Sequence, residues 1–480
     1  MNPSPRIFAR LRSATVPALA LTLLALSPVP AAAAGQPPSG GRDAVVVKEG
    51  KGLRIQVDGR DFMVIGMNWD YFPIGTNYNF SLWKQPDDMI EAALAREMPL
   101  LKAMGVNVIR VYDGIPARWV KHIYERYGIY TAVNHAMGRY GMTVDGVWIP
   151  QNKVDYSDPR FRAAVKAEVL SMVDGLKGTP GILMWILGNE NNYGLSWRSS
   201  EIENLPVGER DAGRARYLYS LMGEIVRDIK AHDPAHLITT ANGDLQYIDL
   251  IAQEVKGLDI FGANVYRGKS AGDLFQVVQD KLGLPVLFTE FGSDAFNAKE
   301  MREDDLNQAI YLLANWQEIY EQSAGKGRVG NAVGGFTFQW SDGWWKYKQT
   351  ENLDVHDTNA SWANGGYRFD FVEGENNMNE EWFGVCAKGP PDERGLFNLY
   401  PRAAYYALRE AFKLPPYAPT TAPPSPSASG STGPNSSSSP SAPAGRTSPP
   451  RTSSTLSRRP PPTWDSAAWS PSSWGSRCSR

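Results

Sequence analysis

Ile182-Leu183-Met184-Trp185-Ile186-Leu187 is an unbroken apolar run, and Gly188-Asn189-Glu190 follows it directly. Six apolar residues with no polar alternate suit a strand buried on both faces, as in a parallel sheet covered by helices. Val286-Leu287-Phe288-Thr289 has the same character, and it too ends in a carboxylate, Glu290, ahead of Phe291-Gly292. Outward from these two runs, further strands are expected at 62–68, 106–112, 129–134, 237–240, 259–265 and 332–339. Helical stretches at 90–104, 159–177, 213–231, 304–323 and 401–412 lie between or after them, and a hairpin-like stretch at 53–57 precedes the first strand. Strand and helix in regular alternation give a parallel α/β fold, and eight such units predict a (β/α)₈ TIM barrel with enlarged loops. An open dinucleotide-binding sheet would carry G-x-G-x-x-G after its first strand, and Phe62 to Tyr71 contains no such motif.

Three segments are expected along the chain. Arg6, Arg10 and Arg12 precede a largely apolar stretch from Val16 to Val29, and Ala32-Ala33-Ala34 offers small residues before Gly35. That order reads as an export signal over residues 1–34, so a secreted or cell-envelope location is expected. The catalytic barrel is expected over 45–417. Beyond Leu414 the composition turns to Pro, Ser, Thr and Ala, which bury too little apolar surface to offset their ordering entropy. Residues 418–480 are therefore expected to form a disordered tail. With only two cysteines, Cys386 and Cys478, the chain is no disulfide scaffold, and both are read as unpaired thiols.

A formal net charge of −2 gives no general pull toward nucleic acid or an anionic membrane. The expected partner is a carbohydrate, bound by a monomer, with no nucleic acid and no membrane once the signal is removed. No His/Glu or Cys/His spacing argues for a catalytic metal, and no cofactor is expected. The acidic stretch Gly374 to Glu381 lacks the spacing of a calcium loop and reads as a solvated loop.

The chemistry rests on two glutamates. Strand C-termini of a barrel converge on one face, so Glu190 after the fourth strand and Glu290 after the seventh can face each other across a substrate. Retaining cleavage of a glycosidic bond needs such a pair, one carboxyl protonating the leaving oxygen while the other attacks the anomeric carbon. Trp185-Ile186-Leu187-Gly188-Asn189-Glu190 and Phe288-Thr289-Glu290-Phe291-Gly292 together resemble the clan A glycoside hydrolases over roughly Phe62 to Trp345.

The resemblance implies a retaining β-glycosidase, with Glu190 as acid/base and Glu290 as nucleophile, and the N-terminal signal implies that it is exported. It implies that Asn189 binds the sugar 2-hydroxyl, that Arg110 keeps Glu290 ionised, and that Tyr266 orients it. Trp340 is expected as the floor of the subsite at the cleaved bond, with Trp344 in a further subsite. Asn68 and His135 are expected to face sugar hydroxyls. Asn107-Val108-Ile109-Arg110-Val111-Tyr112-Asp113 also resembles the β-glucanosyltransferase branch of the clan, so a β-glucan is the favoured substrate and a β-mannan the next, with transfer to a sugar as an alternative to hydrolysis. A non-catalytic secreted carbohydrate-binding protein is the reading from another class, and the intact set of Glu190, Glu290, Asn189 and Arg110 argues against it.

Overall fold

A computed structural model describes residues 44–50, 52–112 and 114–418. The expected signal and all but the first residue of the expected tail, Cys478 included, lie outside the described residues. Eight parallel strands form the barrel: β1 (Val64–Asn68), β2 (Val108–Val111), β3 (Tyr130–His135), β4 (Ile182–Leu187), β5 (Leu237–Thr240), β6 (Phe261–Asn264), β7 (Val286–Gly292) and β8 (Ala332–Phe338). Neighbours pair in the order β5-β4-β3-β2-β1-β8-β7-β6. Closure falls at the fifth strand, which comes in two pieces. Leu237–Thr240 pairs with β4, and its continuation Asn242–Gly243 pairs with β6.

Helices follow the strands and cover the ring: α1 (Asp87–Met104), α2 (Ala117–Tyr127), α3 (Pro159–Leu176), α4 (Arg210–His232), α5 (Ile248–Glu254), α6 (Leu274–Lys281), α7 (Asp305–Glu321) and α8 (Ala403–Ala411). In α3, Phe161, Val165, Val169, Val173 and Leu176 are buried, an i, i+4 stripe that turns one face to the strands. Asp158 starts that helix by accepting from the Arg160 N–H at 2.8 Å, with Pro159 in the first turn. None of the described helices is long and apolar enough to cross a membrane.

Period-two alternation sorts each strand between two cores. Val64, Val108, Ala132, Met184, Ile186, Leu287 and Phe336 fill the inside of the barrel. Met67, Ile109, Val111, Val133, Trp185 and Leu187 face the helices. The expected hairpin is a three-stranded antiparallel sheet (Val45–Glu49, Gly52–Val57, Arg60–Phe62), and its Ile55 and Val57 join the inner cluster beside Val64, at the end of the ring where β1 begins. The Gly374 to Glu381 loop is solvated as expected only in its first half, Gly374 to Asn376. Asn377, Asn379 and Glu381 are buried, and Glu381 pairs with Lys346 at 3.1 Å. Cys386 is a buried free thiol.

Candidate active site

The turn after β4 carries Glu190. Its backbone is left-handed (φ 54°), a conformation few non-glycine residues adopt, and it follows Gly188 at φ 78°. Three hydrogen bonds hold it there: Glu190 N–H to Ala241 O at 2.8 Å, Tyr193 N–H to Glu190 O at 3.0 Å, and Asn189 N–H to the Asn191 side chain at 2.7 Å. The strained turn lifts the carboxyl off the strand axis and into the barrel mouth. Burial first, and then the Glu290 carboxylate nearby, push Glu190 up to about 7.

Glu290 reaches the same space by an irregularity in β7. Ala263 of β6 pairs with Phe288, but Asn264 pairs with Glu290, so one residue is skipped. Phe288 and Phe291 pack into the outer core. Without the bulge Glu290 would share the parity of Phe288 and point at the helices; with it, the carboxylate points inward. Glu290 Oε1 accepts from Arg110 Nη1 at 3.0 Å and from the Tyr112 hydroxyl at 2.5 Å. Oε2 accepts from the Tyr266 hydroxyl at 3.1 Å. Burial holds both phenols well above their usual range, so they remain donors throughout the working pH range.

Arg110 is the hub. Fully buried inside β2, it donates from Nε to Asn134 Oδ1 at 2.9 Å and from Nη2 to Asn189 Oδ1 at 2.9 Å. Nη1 also donates to Thr289 O at 2.9 Å. One guanidinium thus ties β3, the β4 turn and β7 together. Asn189 is fixed by its neighbours. Its Oδ1 also accepts from Asn264 Nδ2 at 3.1 Å, which leaves Nδ2 as the donor side, facing the Tyr140 hydroxyl at 2.7 Å.

The family comparison reads onto this geometry. Residues 87–320 match the family described as glycosyl hydrolases family 2, TIM barrel domain, a span running from the start of α1 almost to the end of α7 and holding both glutamates. Over this span the barrel is similar to those of the clan A glycoside hydrolases, to which that family belongs. A β-galactosidase of Photobacterium profundum is 28% identical over 155 residues, covering 32% of this chain and 13% of that protein. A probable mannan endo-1,4-beta-mannosidase C of Aspergillus terreus is 25% identical over 227 residues, 39% of this chain and 53% of that one. The 1,3-beta-glucanosyltransferase gel2 of Aspergillus fumigatus is 25% identical over 279 residues, 54% of each chain. The chain thus spans about one eighth of the galactosidase and about half of each fungal relative.

Within this barrel, Glu190, Glu290, Asn189, Arg110 and Tyr266 meet at one mouth with Asn68 beside them, and three other expected residues stand elsewhere. Asn68 faces inward but is spent on the scaffold. Its Nδ2 donates to Phe336 O at 3.1 Å and Thr289 O at 3.2 Å, and its Oδ1 lies 2.8 Å from the Tyr112 hydroxyl, whose proton goes to Glu290. His135 has the outward parity of β3. Its Nδ1 accepts from the Met137 N–H at 3.0 Å and its Nε2 lies 3.6 Å from Glu168 of α3, so it turns away from the mouth. Trp344 is the outer leaf of a parallel stack on His356 (4.7 Å) and then Trp382, which buttresses the long loop.

Trp340 is fully buried and offers no face to a sugar. Its Nε1 donates to Glu97 Oε2 at 3.1 Å, and Trp69 Nε1 donates to the same oxygen at 2.7 Å. Phe338, two residues earlier, is half-buried and edge-on to Tyr266 at 6.5 Å, which makes it the β8 ring nearest the nucleophile's partner. Burial pushes Glu97 up to about 7 against the pull of the two indoles and Lys388. A carboxyl raised in this way binds a proton in the fold that the unfolded chain has released, so its contribution falls as pH climbs from its ordinary value, about 4.5, to about 7. Glu97→Gln is expected to remove that slope. The stability difference between wild type and variant should change by on the order of 3 kcal/mol across the window, read by denaturant unfolding at several pH values. Parallel curves would mean that Glu97 is ionised throughout.

Sequence reasoning passed over Tyr112, Asn134, Asn264 and Tyr140. The first two were legible: Val108, Arg110 and Tyr112 share one face of β2, as Ala132 and Asn134 do of β3. Tyr140 lies on a turn, where no period signals direction.

Proposed function

We propose that the protein is a secreted, monomeric retaining β-glycoside hydrolase that cleaves an extracellular β-linked poly- or oligosaccharide by double displacement, a β-glucan first and a β-mannan next. One observation carries the reading: two glutamates meet at one barrel mouth in unlike surroundings. Glu290 receives a guanidinium and two phenol hydrogen bonds, while burial and the nearby carboxylate push Glu190 up to about 7. Glu290 attacks the anomeric carbon as Glu190 protonates the departing oxygen, giving a covalent glycosyl-enzyme. Glu190, now a carboxylate, takes a proton from water, whose oxygen attacks the anomeric carbon and returns Glu290. Asn189 Nδ2 has two protons and gives one to Tyr140, which leaves one for the sugar 2-hydroxyl.

The basic limb of kcat/KM follows. Glu190 must carry its proton to act as the acid, so activity is expected to fall as pH rises through about 7. Glu190→Gln should abolish that limb and cost about 10²- to 10⁴-fold on substrates with poor leaving groups. A limb that survives in the variant would remove Glu190 from the role.

The names of the two fungal relatives support a glucan or mannan substrate, and the glucanosyltransferase supports sugar-to-sugar transfer as the second reading. A product profile decides between them. The full chain is incubated with β-glucans, β-mannans, xylans and short oligosaccharides, and products are followed by chromatography and by NMR of the first-formed anomer. Shorter products of β configuration are expected. Products longer than the starting chain would establish transfer, and α products would sink the retaining mechanism.

A further inference from the structure

Resting on that reading, we propose that Arg139 and Tyr140, on the turn after β3, form the subsite for the sugar that leaves with the departing oxygen. Neither belongs to the set that holds Glu290. Arg139 is half-buried, its Nε is buried with no hydrogen-bond partner, and no carboxylate pairs with it among the described residues. Its charge nevertheless acts on Glu190, on Tyr140 and, from the loop after β8, on Tyr347. The turn that carries Arg139 is tied to both neighbours of Glu190, through Tyr140 to Asn189 and through Ala136 O to Asn191, and the guanidinium has its donors unspent.

Arg110 shows the contrast. All its nitrogens are committed to fixed protein acceptors, so it serves the scaffold. A second, partly desolvated guanidinium without an acceptor is unfavourable until something supplies one. Adjacent hydroxyl oxygens on a pyranose fit its planar fork.

Tyr140 completes the surface. Its hydroxyl accepts from Asn189 Nδ2 at 2.7 Å, so its own proton is free to be donated, and the residue is 48% exposed. The Arg139 guanidinium lies 5.8 Å from that ring. The turn is pre-set: Arg139 N–H donates to Ala136 O at 3.0 Å, and Asn191, next to Glu190, donates from Nδ2 to the same oxygen at 2.9 Å. The two residues are thereby fixed relative to the acid/base, as a subsite for the leaving sugar requires.

The test compares leaving groups. Arg139→Met, Arg139→Lys and Tyr140→Phe are assayed in the full chain on nitrophenyl β-glycosides, whose leaving group is no sugar, and on cello-, laminari- and manno-oligosaccharides. Binding of the same oligosaccharides is titrated in a Glu290→Gln background. Arg139→Met is expected to lower kcat/KM on the best oligosaccharide by about 10- to 100-fold, the scale of hydrogen bonds to a charged donor, with weaker binding in the titration. The nitrophenyl glycoside should change by less than about threefold, with Arg139→Lys intermediate and Tyr140→Phe the mildest. Equal losses on both substrate types, with binding unchanged, would overturn the subsite and reduce Arg139 to a neighbour of Glu190. Wild type that cleaves nitrophenyl glycosides but neither cleaves nor binds oligosaccharides would overturn the subsite and leave the glycosidase reading standing. Wild type that cleaves neither would overturn both.

Discussion

Glu290→Ala is expected to lower kcat by on the order of 10⁵- to 10⁶-fold, the scale seen when a covalent nucleophile is removed. The barrel should remain folded. Arg110 keeps acceptors at Asn134, Asn189 and Thr289 O, and Tyr112 keeps Asn68 Oδ1, so few donors are left unpaired, although the buried guanidinium loses its balancing carboxylate and stability falls by about 3–5 kcal/mol. The diagnostic is chemical rescue. With an activated β-glycoside, azide can enter the space vacated by the carboxylate and attack the anomeric carbon from that side, giving an α-glycosyl azide. Glu190→Ala with azide should give the β product instead, because Glu290 still forms the glycosyl-enzyme and azide then replaces water. Unchanged turnover in Glu290→Ala, or the same azide anomer from both variants, would exclude the assignment.

Arg110→Met carries the second large effect, on stability and activity together. The side chain is fully buried, and its guanidinium is the cation that balances Glu290 at 3.0 Å. Removing one partner of a buried pair leaves an uncompensated charge and typically costs about 3–5 kcal/mol. Asn134 Oδ1 loses its two donor bonds at the same time, and Asn189 loses the contact that sets its amide orientation. Unfolding in denaturant should show the stability loss, and kcat/KM should collapse even at temperatures where the variant is folded. Arg110→Lys is not expected to rescue, since one ammonium cannot span acceptors on three different strand ends. A loss below about 1 kcal/mol would show that the network is slack, in conflict with its geometry.

How much of this was legible differs from element to element. Strand β4 occupies the predicted 182–187 without change, because a six-residue apolar run ended by Gly188 leaves a buried strand no other register. The two site glutamates were legible for the same reason, each closing an apolar run. Helix α2 was passed over although Trp119, Val120, Ile123, Tyr124 and Tyr127 mark an apolar stripe at helical spacing, whereas the short strands of the hairpin of Gly141–Val144 and Val147–Pro150 leave no clear period. Trp340 is expected as a sugar platform from the family resemblance and Trp344 from its place in the same aromatic cluster after β8. Which face of a ring is open depends on what the chain brings against it from far away, here Glu97 of α1 and His356 and Trp382 of the long loop.

The sequence by itself determined the barrel, its strand order and the two carboxylates, because burial of apolar runs and the alternation of strand and helix are local properties. The direction in which Glu290 points was decided only by the tertiary structure. Parity along β7 would send it outward with Phe288, and only the skipped residue opposite Asn264, held by the pairing of β7 between β6 and β8, turns it toward Arg110 and the mouth. A register shift between strands belongs to the ring, and no single strand encodes it.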